Sequence, residues 1–208
     1  MRFADLDALT LDAFGTLVGL RDPVPVLREA LRARGVEREP EAVAAAFARE
    51  GEYYRPRSLE GRDDESLARL RRECVAVFLG VLNTELAPEE FVDTYIDALR
   101  FELLPGSREA VTSLRRRGVA LAVVGNWDMA LPEHLAALGL GDLPVVTSAA
   151  VGAAKPDPAP FRRALGALAV EPGRALHVGD DKVDEQGARA AGMHFAWAPL
   201  PAALESLA

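Results

Sequence analysis

The chain has 208 residues, 50% hydrophobic and 27% charged, enough to bury a sizeable core and a length between one and two domains. A formal net charge of −8 argues against nucleic acid as a partner, because affinity for a phosphate backbone rests on clustered Lys and Arg. No apolar run approaches the roughly 20 residues that span a bilayer, the start MRFADLD carries no basic segment followed by an apolar one, and Cys74 is the lone cysteine. The expectation is a cytoplasmic protein with no membrane span and no intrachain disulfide.

Leu6 to Leu11 is a short apolar run ending at Asp12, the pattern of a buried strand that delivers a carboxylate to the end of a sheet. A turn with Gly15 follows. From about Pro23 to Leu99 the apolar spacing becomes helical, through Val24, Leu27 and Leu31, an alanine-rich stretch from Glu41, Leu67 to Leu79, and Phe91 to Leu99. This predicts an all-helical insertion over residues 18–102, bounded by Leu17 to Asp22 and by Leu103 to Gly106, with residues 1–17 and 103–208 forming the other domain. Beyond Pro105 helix and strand alternate: Arg108 to Arg117, Val119 to Val124, Leu131 to Leu138, Val145 to Thr147, Phe161 to Leu168, Ala175 to Val178. Short apolar strands separated by helices imply an α/β fold, a parallel sheet covered on both faces.

The predicted strands end beside polar residues: Asp12; Asn126 and Asp128; Lys155 in the loop beyond Thr147; Asp180 and Asp181. Ligands of open α/β sheets sit beyond the carboxyl ends of the strands, so these groups are expected to converge. Asp12, Asp180, Asp181 and Asp184 together would raise one another's pKa unless a cation compensated them. Oxygen ligands in near-octahedral geometry suit Mg2+. Lys155 would neutralise the nucleophile and a bound anion, and a carboxylate can itself be a covalent nucleophile. Only Lys155 and Lys182 are lysine in this arginine-rich chain, which hints at a compact point charge where each stands.

Four segments in order, LTLDAFGTL, VVGNWD, GAAKPDPAPF and HVGDDKVDEQGARAAGM, resemble the four motifs of the haloacid dehalogenase-like hydrolase superfamily. The resemblance spans essentially the whole chain. It implies a Rossmann-like three-layer core with an inserted, mobile helical cap and a small phosphorylated metabolite as substrate. By it Asp12 is the nucleophile, Lys155 the charge that holds it and the transferred group, and Asp180, Asp181 and Asp184 the Mg2+ ligands or their supports. Gly125 and Asn126 would bind the phosphate, and the Phe14 carbonyl would complete the metal's ligands.

Two positions depart from the family pattern. Family phosphatases place a general acid/base Asp two residues after the nucleophile, where this chain has Phe14; losing such a group costs on the order of 10²- to 10⁴-fold. The second motif usually offers a Ser or Thr hydroxyl, and Gly125 stands there instead. A phosphatase built this way is weak, is restricted to good leaving groups, or takes its acid from the cap. The dehalogenase branch also lacks the second Asp and carries an aromatic residue before Gly-Thr, as in DAFGTL. It replaces the last motif's carboxylates with neutral residues, however, and has an aromatic hydroxyl where this chain has Phe161. A third reading is a degenerate scaffold that binds a phosphorylated ligand and turns it over poorly.

Plainer roles stand beside these. Asp184 suits the N-terminus of the helix containing Ala188, Asp128 and Asp157 suit turns, and Lys182 suits a solvated surface. Arg115 to Arg117 complement the C-terminal end of a helix dipole. His134 reads as a helix-face residue, and His177, inside a buried strand, as a structural hydrogen-bonding group. Trp127 either walls the site or packs, and Tyr53 and Tyr54 are candidate cap contributors.

Overall fold

The computed structural model describes residues 5–205. In chain order it contains β1 (Ala8–Leu11), β2 (Val18–Leu20), α1 (Val24–Arg32), α2 (Pro40–Tyr54), α3 (Asp64–Val81), α4 (Pro88–Ala98), β3 (Phe101–Leu103), α5 (Ser107–Arg116) and β4 (Ala120–Gly125). There follow α6 (Leu131–Ala137), β5 (Val145–Thr147), α7 (Ser148–Val151), α8 (Ala159–Leu168), β6 (Ala175–Gly179), α9 (Lys182–Ala190), β7 (His194–Trp197) and α10 (Leu200–Glu205). The chain divides into two compact units, one formed by the described residues up to Gly19 and from Glu102 onward, the other by Leu20–Phe101.

The first unit is built on a five-stranded sheet of order β5-β4-β1-β6-β7, parallel at each pairing. Its register explains its layers. Ala8 lies level with Ala120 and Ala175, Thr10 with Ala122 and His177, so one face presents small side chains. There α8 and α9 seat Phe161, Ala164, Leu165 and Ala188 against Ala8, Ala122, Val124 and Val146. The alternate residues Leu9, Leu11, Leu121, Val123, Leu176 and Val178 are buried too, which is why β1, β4 and β6 read as continuous apolar runs. Burying each such side chain contributes roughly 1.5–3 kcal/mol. The fold is thus the expected α/β Rossmann-like core with an inserted helical unit.

Within the second unit, α1 to α4 close a core of Leu27, Leu31, Val43, Val75, Phe78, Phe91 and Tyr95, with the Phe78 and Phe91 rings stacked at 6.1 Å. Asp63 starts α3 with a capping box, accepting from the Ser66 N–H at 2.8 Å. Among the described residues no helix is long and apolar enough to cross a membrane.

Three strands were not expected from the sequence. β2 and β3 pair as a short ribbon where the chain leaves and re-enters the first unit. Edge strand β7, HFAW, has only exposed or half-buried residues. Its partner is β6, with Leu176 opposite His194 and Gly179 opposite Trp197.

Candidate active site

Asp12 follows the last residue of β1, the central strand, and its own N–H still bonds the Val178 carbonyl of β6 at 2.9 Å. The ladder therefore fixes the main chain of the nucleophile candidate. Immediately afterwards the chain folds back, Leu17 and Val18 both donating to the Ala13 carbonyl at 2.9 Å. Gly15 makes that turn at φ +86°, and a Cβ there would fall 2.2 Å from an Asp180 carboxylate oxygen. A side chain at residue 15 is excluded twice, by its backbone angle and by Asp180. Thr16 donates to the same carboxylate at 3.2 Å, so the first turn holds the last acidic motif in place.

Lys155, 6% exposed, reaches the Asp12 carboxylate from the loop after α7. Its ammonium bonds Asp12 Oδ1, Asp184 Oδ1 at 2.5 Å and the Val124 carbonyl at 3.1 Å. Those three acceptors use all three N–H donors, so the buried charge is fully paired. Burial opposes the Lys155 charge, but Asp12 and Asp184 outweigh it and raise its pKa.

Burial pushes the Asp12 carboxyl up to about 7, with Asp184 adding to the effect and Lys155 opposing it. Asp184 behaves differently. Burial disfavours its charge too, yet the His177 hydrogen bond and the Lys155 ammonium hold it down to about 2. His177, fully buried in β6, bridges Thr10 Oγ1 at 2.8 Å and Asp184 Oδ1 at 3.1 Å, and burial lowers its pKa. With Nδ1 accepting from Thr10, the neutral ring donates from Nε2 to Asp184. The expected structural role of His177 is what the geometry displays, and the Phe161 ring meets it edge-on at 4.8 Å.

Carboxylate oxygens of Asp12, Asp180 and Asp184 lie within 4.8 Å of one another. Three carboxylates less one ammonium leave two negative charges, the complement of a divalent cation. The donors are hard oxygens, the chemistry that suits Mg2+ rather than a thiolate-seeking metal. Asp181 lies outside this set. It is the N-cap of α9 and accepts from the Val183 N–H at 3.1 Å, while its own N–H bonds Asp184 Oδ2 at 3.2 Å. The capping role considered for Asp184 thus belongs to both residues, with Asp181 in the cap position.

Asn126 also has a placement that spacing did not reveal. Its Nδ2 donates to the Lys155 carbonyl at 3.0 Å and its Oδ1 accepts from the Lys155 N–H at 2.7 Å. This two-point clamp on the main chain of Lys155 occupies both ends of the amide expected to meet a phosphate. Gly125 ends β4, where a Cβ would meet Leu131 at 3.0 Å and Ala13 at 3.4 Å. Asp128 and Asp157 serve turns, accepting from the N–H of Ala130 and of Ala159, each at 2.8 Å.

A paired, buried aspartate at the end of the central strand of a Rossmann-like sheet, with further carboxylates beyond the next strand end, lies where open α/β sheets gather their ligands. Residues 6–192 match the family model described as haloacid dehalogenase-like hydrolase, and the chain belongs to that family. It is 36% identical over 202 residues to haloacid dehalogenase-like hydrolase domain-containing protein 3 of Mus musculus, covering 89% of this chain and 79% of that protein. A phosphoserine phosphatase of Thermus thermophilus is 41% identical over 102 residues, covering 47% of this chain and 41% of that one. Among solved structures, the L-2-haloacid dehalogenase of Xanthobacter autotrophicus with chloropropionic acid covalently bound superimposes with a TM-score of 0.68 at 25% identity, covering 92% of this chain and 77% of that chain.

Proposed function

We propose that this hydrolase is a Mg2+-dependent phosphatase of a small phosphorylated metabolite in the cytoplasm, acting through an aspartyl-phosphate on Asp12. The observation that carries the reading is the triad of Asp12, Asp180 and Asp184 with its two uncompensated negative charges. An enzyme whose substrate is a carboxylate has no use for such charge, whereas a phosphate ester delivered with a divalent cation requires it. Partial similarity to phosphoserine phosphatase agrees with this.

In the proposed reaction Asp12 attacks phosphorus, the ester oxygen leaves with its electron pair, and water then hydrolyses the aspartyl-phosphate. Lys155 aims the carboxylate and favours its ionised form against burial, while Asn126 sets the main chain from which Lys155 extends. On this reading the main chain at Gly125, where a Cβ would crowd Leu131 and Ala13, receives the phosphate. When bound between Asp12, Asp180, Asp184 and the Phe14 carbonyl, Mg2+ supplies Lewis-acid stabilisation of the phosphoryl oxygens. Asp181 supports the set through its cap.

The second reading, a 2-haloacid dehalogenase, is favoured by the DAFGTL sequence and by the structural likeness just described. Against it stand Asp180 and Asp184, and Phe161, which has no hydroxyl and is wholly buried. Phosphate release measured with Mg2+ or with EDTA, on wild type and Asp12→Asn, separates the readings. The phosphatase reading expects loss in EDTA and a fall of about 10⁴-fold or more in the variant, the scale seen when one member of a catalytic unit is removed. Metal-independent halide release from a 2-haloacid would establish the dehalogenase, and ligand binding without turnover the degenerate scaffold.

A further inference from the structure

The loops that follow the adjacent strands β1 and β4 each carry an aromatic residue. Phe14 stands two residues beyond Asp12, and Trp127 two residues beyond Gly125. Their rings meet, with centroids 6.4 Å apart and planes tilted by 56°. Trp127 is 8% exposed, and its main chain is pinned by Ser148, which accepts from the Trp127 N–H at 3.0 Å and donates to its carbonyl at 3.1 Å. Phe14, by contrast, is 52% exposed although the turn that carries it is tied by main-chain bonds at Gly15, Leu17 and Val18. A rigid apolar ring is thus held in the open beside the nucleophile, backed by a second ring.

Two consequences follow for a leaving group. It departs past a phenyl ring that has no proton to give, and Lys155 has no unused N–H to offer in its place. It also meets an aromatic surface that favours offset or edge-to-face contact with another ring. Resting on the phosphatase reading, we infer that the substrates are aryl phosphate monoesters, whose phenolic oxygen leaves without being protonated and whose ring packs against Phe14 and Trp127. In the balanced step, Asp12 forms the Oδ–P bond as the P–O(aryl) bond breaks. The bonding pair leaves on the aryloxide, and water hydrolyses the aspartyl-phosphate. The proton that water releases, passed through solvent, converts aryloxide to phenol, so the net reaction is ester plus water to phenol plus phosphate.

The test is kcat/KM for a series of substituted phenyl phosphates graded in leaving-group acidity, for fluoroalkyl phosphates matched to them in acidity, and for simple alkyl phosphates. Wild type, Phe14→Leu and Phe14→Asp are compared, with Mg2+. Wild type is expected to slow steeply as the leaving group becomes more basic and to favour an aryl over a fluoroalkyl ester of equal acidity. Phe14→Leu keeps the steep dependence but loses the aryl preference, and Phe14→Asp gains on the order of 10²-fold on alkyl esters by supplying an acid. Because Phe14→Leu introduces no new charge, it keeps the test valid even if Phe14→Asp fails to fold. A shallow leaving-group dependence in wild type, or equal rates on matched aryl and fluoroalkyl esters, overturns the inference while the phosphatase reading stands. No Mg2+-dependent release from even the most activated ester overturns both.

Discussion

Asn126 illustrates how a residue supports a site through the main chain of a neighbour. Both ends of its amide are committed to the main chain of Lys155, and that main chain starts the side chain on which Asp12 and Asp184 depend. Truncation in Asn126→Ala leaves an N–H and a carbonyl unpaired in a half-buried loop, at a cost of about 1–3 kcal/mol. The expected result is a drop in kcat larger than any change in KM, together with a lower denaturant midpoint. An unchanged kcat would show that the loop holds Lys155 unaided. Asp12 and Asp180 were legible as site candidates because each follows a run that reads as a strand, where such sheets gather chemistry, and Asp184 because it opens a helix; Lys155, in a loop beyond Thr147, was marked out by its motif. The Asn126 clamp was not legible, since it joins residues 29 positions apart through a loop whose path no local pattern encodes. Nor did spacing distinguish Asp181, which caps α9, from Asp180, which faces Asp12.

At the scale of elements, the helical unit carries a buried acid that no catalytic role requires. Glu50 on α2 is 7% exposed, and burial raises its pKa, with Cys74 of α3, Tyr95 of α4 and Arg55 opposing the rise. A carboxyl whose folded pKa lies above its unfolded one contributes stability that is fully present below the unfolded value, near 4.5, and is lost as pH climbs towards the folded value. Glu50→Gln removes that dependence. The difference in thermal midpoint between variant and wild type is therefore expected to move in favour of the variant as pH rises from 4.5, as followed by circular dichroism. A difference that stays constant with pH would mean that Glu50 titrates alike in the folded and unfolded chain. Most helices were readable from periodicity, with α8 and the predicted Phe161 to Leu168 ending at the same residue, while the short α7 and α10 were not expected. β7 escaped because its four residues, HFAW, show no alternation of apolar and polar positions, and β2 and β3 because three residues are too few to show it.

For the whole molecule, the proposed metal reading couples folding to the acidic triad. A cation that binds the folded state alone stabilises it by about 2.7 kcal/mol at a hundredfold excess over its Kd. Mg2+ is accordingly expected to raise the thermal midpoint of wild type and to do so less in Asp180→Asn; equal shifts in both proteins would remove Asp180 from the metal's ligands. Composition, periodicity and four motifs determined by themselves that this chain is a parallel α/β core with a helical insertion and belongs with the haloacid dehalogenase-like hydrolases, because buried strands and amphipathic helices leave their signatures in neighbouring residues. Only the tertiary structure decided which carboxylate pairs with Lys155, which one caps a helix, that Asn126 holds a loop, and that the Phe14 ring stands exposed against Trp127. Those are relations between strand ends distant in sequence, and their distances exist only once the sheet has brought β1, β4 and β6 side by side.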